Sequence, residues 1–173
     1  STTIQIDGNV FFNHCDISTS HVRTLLCVSG TLDIKHSIVS GAKEIGIELR
    51  PNAQLTIDQC AIYSNGKANI LADYATVDLY NSTLHSANHA IWLRNSSSLN
   101  STKNKFSHHS GTQLIAHQQS VIVDKGSYIT HGKGNGILKE EIRKYLRTVP
   151  GVVSCKDEDI QFGGSGITVV KLD

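Results

Sequence analysis

The sequence predicts an all-β fold: a right-handed parallel β-helix solenoid of about six coils over residues 1–137, followed by a C-terminal helix-plus-hairpin cap over 138–173. Three observations predict it. An apolar pattern repeats with a period of about 22 residues, each period holds three short alternating segments, and no period holds a helical one.

The repeat is clearest in AQLTIDQCAIY at 53–63, with its order apolar-x-apolar-x-x-small-x-apolar. Val10, Leu32, Leu55, Val77, Leu99 and Val121 form one column, with steps of 22, 23, 22, 22 and 22 residues. Two residues on stand Phe12, Ile34, Ile57, Leu79, Ser101 and Val123. A small-residue column follows with Cys15, Ser37, Cys60, Ser82, Asn104 and Gly126, then an apolar one with Ile17, Val39, Ile62, Leu84, Phe106 and Tyr128. About eight residues later comes another alternating segment: LLC at 25–27, IEL at 47–49, ILA at 70–72, IWL at 91–93 and LIA at 114–116. Ile4 and Ile6 supply it for the first coil, and Ile137 is expected to begin a seventh.

A leucine-rich repeat shares the core string LTIDQCAI but needs a helix or an extended convex segment in its other half. Here that half reads SNGKAN, SANHA or HGKGNG and then another strand, so turn residues stand where the helix would be. Stacking coils ~4.8 Å apart places equal positions above one another, and the apolar columns become an interior that no coil could bury alone. The fixed three-residue step into the small-residue column implies a tight corner. The eight-residue step after the last column implies a looser one, whose Gly and Asn suit left-handed backbone.

Beyond Ile137 the period changes. LKEEIRKYLRTV at 138–149 reads as an amphipathic helix stopped by Pro150-Gly151. VVSC at 152–155, DIQF at 159–162, a GGSG turn at 163–166 and ITVVKL at 167–172 then read as a strand and a hairpin. An open solenoid end exposes its core and its strand edges, and a cap covers both; the alternative reading of 138–173 is that an α/β domain or following segment starts there. GGSG lacks the Lys-Ser/Thr and the following helix of a phosphate loop.

Composition bounds the function. Sixteen Lys and Arg against 15 Asp and Glu leave a formal charge of +1, which gives no electrostatic case for nucleic acid. No apolar run approaches the roughly 20 residues that span a bilayer, and no signal peptide opens the chain at Ser1. Cys15 and Cys60 share a column two coils apart, ~10 Å, too far for a disulfide. With Cys27 inward and Cys155 in the tail, no disulfide framework is visible, which leans toward an intracellular compartment. The sequons at Asn81, Asn95 and Asn100 lean the other way.

The run GIELRPNAQLTIDQCAIY, Gly46 to Tyr63, resembles the β-helix repeats of carbohydrate-binding proteins and sugar hydrolases, the CASH-type repeats. Related repeats occur in pectate-lyase-like enzymes, phage tailspikes and eukaryotic adaptor proteins. The resemblance covers about 135 residues and implies the architecture, while one such fold hosts sugar cleavage, sugar binding and protein binding alike. In the sugar-cleaving relatives it also implies a catalytic surface on the outer face of the first strand.

That face carries Leu26, Glu48, Leu71, Trp92, Ile115 and Leu138, beside Val28, Arg50, Asp73, Arg94, His117 and Lys139. Hydrolysis needs two cooperating carboxylates, and lyase chemistry needs a base and commonly acids that hold a cation. Glu48 and Asp73 are one coil apart but out of register, and Arg50, Asp73 and Arg94 read as a stacked salt-bridge ladder. The five apolar members of the first column predict an apolar stripe about 24 Å long, either a surface for a partner or a second copy with Trp92 as anchor, or one that the 138–149 helix or the terminal hairpin folds back to cover. Of nine histidines, His14 and His36 stack at the tight corner, while His85, His89, His108, His109 and His131 crowd the looser one. His109 and His131 share a register and are weak metal candidates, with no Cys or carboxylate partner to complete a site.

The expected function is therefore a non-catalytic interaction module, without a cofactor, binding a protein or an extended glycan through Leu71, Trp92, Arg94, Ile115, Arg50, Asp73 and His117. Nucleic acid and membrane are not expected as partners. The alternative is a polysaccharide-acting lyase or glycoside hydrolase, or a fragment of one, including a tailspike-like protein.

Overall fold

The computed structural model describes residues 1–130, 137–157 and 167–172. Over the first of these stretches the chain winds as a parallel β-solenoid of six coils, each contributing one short strand to each of three sheets. The first sheet holds β1 (Thr2–Asp7), β4 (Arg23–Ser29), β7 (Ile45–Leu49), β10 (Ala68–Asp73), β13 (His89–Arg94) and β16 (Leu114–Ala116). The second holds β2 (Val10–Asn13), β5 (Thr31–Lys35), β8 (Gln54–Asp58), β11 (Thr76–Tyr80), β14 (Ser98–Thr102) and β17 (Val121–Lys125). The third holds β3 (Asp16–Ser18), β6 (Ile38–Ser40), β9 (Ala61–Tyr63), β12 (Thr83–His85), β15 (Lys105–Ser107) and β18 (Tyr128–Thr130). Alternation along each strand turns one set of side chains inward, and Leu25, Ile47, Ile57, Ile62, Leu79 and Phe106 are fully buried.

Corners decide where each strand begins. The tight corner between the second and third sheets is turned in every coil by one residue with left-handed backbone: His14, His36, Gln59, Asn81, Lys103 and Gly126, with φ between 47° and 68°. That conformation costs an L-residue roughly 1–2 kcal/mol. The next residue offsets it by bonding the coil before. Ser37 Oγ accepts the Cys15 N–H (3.0 Å), Ser82 Oγ the Cys60 N–H (3.0 Å), Asn104 Oδ1 the Ser82 N–H (2.8 Å) and Ser127 Oγ the Asn104 N–H (3.0 Å). A similar ladder runs down the first corner through Ser97 and Ser120, which accept the Ala75 and Ser97 N–H groups at 3.1 Å. Buried backbone donors that a turn would otherwise orphan are thus satisfied by the coil above.

The sixth coil departs from the expected columns by one residue. Leu99 pairs with Ile122 and Phe106 with Ile129, so Val121 and Val123 face out at 56% and 45% exposure while Ile122 packs on the core. Val-Ile-Val is apolar on both parities, so alternation alone cannot choose the inward face. The left-handed Gly126 and the ladder member Ser127 choose it, and Ser127 rather than Gly126 completes the small-residue column.

Ile137 does not start a seventh strand, and Leu138 does not extend the outward stripe. Both belong to α1 (Ile137–Leu146), a helix rather than a coil. After it β19 (Val152–Asp157) and β20 (Ile167–Leu172) pair antiparallel, and β20 pairs antiparallel with β18, extending the third sheet to eight strands. Arg143 on α1 bonds Asp157 on β19 (2.6 Å). The DIQF and GGSG segments at 159–162 and 163–166 and His131 lie outside the described residues.

The corrected register gives a paired prediction. Ile57→Asn should lower stability by about 3–5 kcal/mol, through a cavity and a buried amide, whereas Val121→Asn should change it by less than about 0.5 kcal/mol. Urea unfolding of the two variants checks this, and equal losses would refute the register of the sixth coil.

Candidate functional site

The outer face of the first sheet collects most of the residues that the sequence nominates. Strand pairing lines them up in three columns: Arg23, Ile45, Ala68 and His89; then Leu26, Glu48, Leu71, Trp92 and Ile115; then Arg50, Asp73, Arg94 and His117. The outer columns fold over the central one. Glu48 is only 4% exposed, with Arg23 Nε bonded to one carboxylate oxygen and Arg50 Nη2 to the other (2.9 Å). Below it Ile45, Ala68 and Leu71 form a small buried cluster outside the sheet, against which Trp92 packs.

The bare apolar stripe therefore does not exist. Leu71 is 7% exposed, Leu26, Trp92 and Ile115 are partly buried, and a carboxylate with two arginines interrupts the column. Neighbouring columns on a flat parallel sheet lie close enough for side chains to cover one another, which a single column read from sequence does not reveal. The salt-bridge ladder is also shorter than expected. Arg94 binds Asp73 (2.9 Å), but Arg50 is turned to Glu48. Both acids on this face are thus held by arginines, and Asp73 also accepts the Asn95 Nδ2–H (2.6 Å).

What remains presented at the lower end is an aromatic plate with a polar frame. Trp92 stands edge to His89 (5.8 Å between centroids) and to His117 (6.4 Å), and the Arg94 guanidinium lies 5.9 Å from its ring centre. Trp92 Nε1 and Arg94 Nε have no hydrogen-bond partner among the described residues. Tyr74 adjoins Asp73 at the first corner, 57% exposed with φ 51°. Its column also holds Gly8, Gly30, Asn52, Ser96 and Gln119, all left-handed and none of them aromatic. A bulky aromatic is a poor choice for that backbone, and strain of this kind collects at functional positions.

Sequence reasoning missed Tyr74, Arg23, His89 and Asn95. Tyr74 was detectable as the one aromatic in a corner column of Gly, Asn, Ser and Gln. Arg23 and His89 were not, because they reach the face from positions before the alternating segment begins.

The looser corner assembles the histidines differently from expectation. His85 stacks on Tyr63 (4.8 Å), as His14 does on His36 (4.8 Å) at the tight corner. His109 points inward, with its Nε2 3.2 Å from Asn69 Nδ2. Burial, then the neighbouring His85, His89 and His108, pull its pKa down to about 4. Burial, then His108 and Lys105, also lower that of His85. Among the described residues no three His, Cys, Asp or Glu side chains converge as a metal site, and the His109–His131 pairing lies outside them. The four cysteines are free thiols, and burial pushes Cys27 and Cys60 above the usual thiol range. No helix among the described residues is long and apolar enough to cross a membrane.

Two family models match the chain. One, described as right handed beta helix region, covers residues 23–141, and the other, described as Smr domain, covers residues 124–173. Similar curated proteins include Endonuclease MutS2 of Helicobacter pylori, 50% identical over 44 residues, or 25% of this chain and 6% of the relative. Endonuclease MutS2 of Caldicellulosiruptor bescii and that of Bacillus cytotoxicus are 48% and 46% identical over 44 residues, with the same shares. The chain thus spans a small fraction of the relatives it matches. No solved structure gives a significant match.

The buried carboxylate offers a test of this face. Arg23→Ala/Arg50→Ala together leave Glu48 buried without a cation and should cost about 3–5 kcal/mol, more than the two single losses summed. Adding Glu48→Leu, which joins the Ile45–Leu71 cluster, should recover most of that loss. Denaturant melts of the wild type, the two single variants, the double variant and the triple variant check it.

Proposed function

The chain belongs to the right-handed β-helix family, and on that premise we propose that its solenoid is a non-catalytic interaction module that receives an extended glycan on the outer face of the first sheet, centred on Trp92. One observation carries the proposal: Leu71 at the middle of the expected stripe is buried, Leu26 and Ile115 are partly so, and an indole framed by His89, His117 and Arg94, with Asp73 and Asn95 beyond, is what the face presents. An indole offers a sugar ring a flat apolar surface, and the frame supplies donors and acceptors for its hydroxyls. Tyr74, exposed at the adjoining corner, offers a second aromatic ring. A large protein interface would favour a dry apolar centre instead.

An array of neutral and acidic polysaccharides tests it. The wild-type chain should retain at least one class, Trp92→Ala should lose it by tenfold or more, and Tyr74→Gly should weaken it while raising the melting temperature by relieving about 1 kcal/mol of backbone strain. No retention by the wild type, together with self-association in sedimentation that Trp92→Ala abolishes, would replace the glycan with a second copy. Release of reducing or unsaturated ends that Asp73→Ala abolishes would restore the polysaccharide-acting enzyme.

A second reading has its own observation. The Smr domain match over 124–173 and the likeness to proteins named Endonuclease MutS2 favour a role for the C-terminal segment at nucleic acid, against the near-neutral net charge. Polarisation of labelled single- and double-stranded DNA and RNA at 50 and 200 mM salt tests it. Binding that weakens steeply with salt supports this reading, and no binding at 50 mM rejects it.

A further inference from the structure

The third corner, between the third sheet and the next coil's first sheet, holds a buried chain of side-chain hydrogen bonds whose direction is fixed at one end. The corner's left-handed residues are Gly41, Ser64, Ser86 and His108, so Ala42, Asn65, Ala87 and His109 occupy one column. Asn65 and Asn69 are fully buried. Asn65 receives the backbone N–H of Ala42 (3.0 Å), so its oxygen must point there. Its Nδ2 then donates to Asn69 Oδ1 (2.8 Å), which turns Asn69 Nδ2 toward the His85 carbonyl (3.3 Å) and His109 Nε2 (3.2 Å).

Each link forces the next. A backbone N–H can only donate, so both amides are oriented, and His109 Nε2 must be the acceptor. The ring is therefore neutral, with its proton on Nδ1, which is buried without a partner among the described residues. Ala87, which stands between Asn65 and His109 in the column, leaves His109 room to reach inward. There is no slack on the other side, because a Cβ on Gly46 would lie 2.7 Å from Asn65 Nδ2 and 2.7 Å from the Asn69 carbonyl oxygen.

We propose that the Asn65–Asn69–His109 chain is a proton-operated latch on the third corner: protonation of His109 expels its ring and frees the corner across coils three to five. A second proton on the ring would set an N–H against the Asn69 N–H₂. Reversing the amides to accommodate it would orphan the Ala42 N–H in the interior, at the cost of an unmade buried hydrogen bond. Swinging the ring out is the remaining course. The titratable groups facing His109 among the described residues are His85 on β12, His89 on β13 and His108 beside it, all of one potential sign, so acid adds repulsion to the donor conflict. Lys105 on β15 acts on His85 in the same sense. Because the folded chain holds His109 below its ordinary value of 6.5, its contribution is complete above 6.5 and is lost as pH falls toward about 4. His89 also touches Trp92, so a freed corner borders the proposed binding face.

Hydrogen exchange on the intact chain at pH 7 and pH 4.5, corrected for intrinsic rates, tests the latch. Amides at Ala42 and Asn65–Asn69 should exchange at least tenfold faster at the lower pH, while those of Ile57 and Leu79 hold. His109→Gln supplies an acceptor that does not protonate, and the acceleration should vanish there. Equal acceleration in the variant, or none in the wild type, overturns the proposal. Should the variant fail to fold, ¹⁵N spectra of the wild-type ring decide. A doubly protonated His109 with the Ala42 amide still protected overturns the latch, and loss of that protection together with the second proton supports it.

Discussion

Everything in this protein depends on coils being held in register, one directly above the next. Parallel strand pairing does part of this, but strands of three to seven residues have few bonds with which to resist a slip. The corner ladders do the rest. A hydroxyl or amide at Ser37, Ser82, Asn104 or Ser127 takes a backbone N–H from the coil before, and no such bond survives a shift of one residue. The left-handed residues are tolerated because of these bonds. Remove the ladder, and histidine, glutamine and lysine would be poor choices for that backbone. The apolar core then follows, since Ile57, Ile62 and Leu79 are buried only while their coils stay aligned.

The architecture was legible because the period is. Columns such as Leu32, Leu55, Val77 and Leu99 repeat their chemistry every 22 or 23 residues, and both apolar and small columns agree. Legibility failed where the chemistry became symmetric or changed scale. Val121-Ile122-Val123 is equally apolar on both faces, so only the corner chemistry of Gly126 and Ser127 could set it. Leu138 fits two readings, the last place in the outward column and the first residue of the helix expected over 138–149, and the helix forms, at Ile137–Leu146.

The surface was legible as a list and not as a landscape. Trp92, Arg94, Asp73 and His117 do lie on one face, as their columns require. Which of them cover which depends on contacts across columns, and a periodic reading treats columns one at a time. Arg50 turning to Glu48 instead of Asp73 is a choice between two carboxylates that spacing does not rank. The outcome changes the character of the face. Arginines and a small apolar cluster close its upper half, and the aromatic plate is left at the lower end beside the histidine corner.

At its far end the solenoid is finished unequally. The third sheet passes from parallel to antiparallel at β18 and runs on through β20 and β19, whereas among the described residues the first and second sheets hold no strand after β16 and β17. Strand β18 therefore serves two structures, as the last rung of a stack and as the template on which the C-terminal segment is laid. A linear stack whose repeats hold only their neighbours unravels from its weakest end, and among the described residues one of the three edges of this stack is tied off. Loss of order in the last coil should therefore travel along two walls while the third holds, a hinge line made by the sheet rather than by a loop.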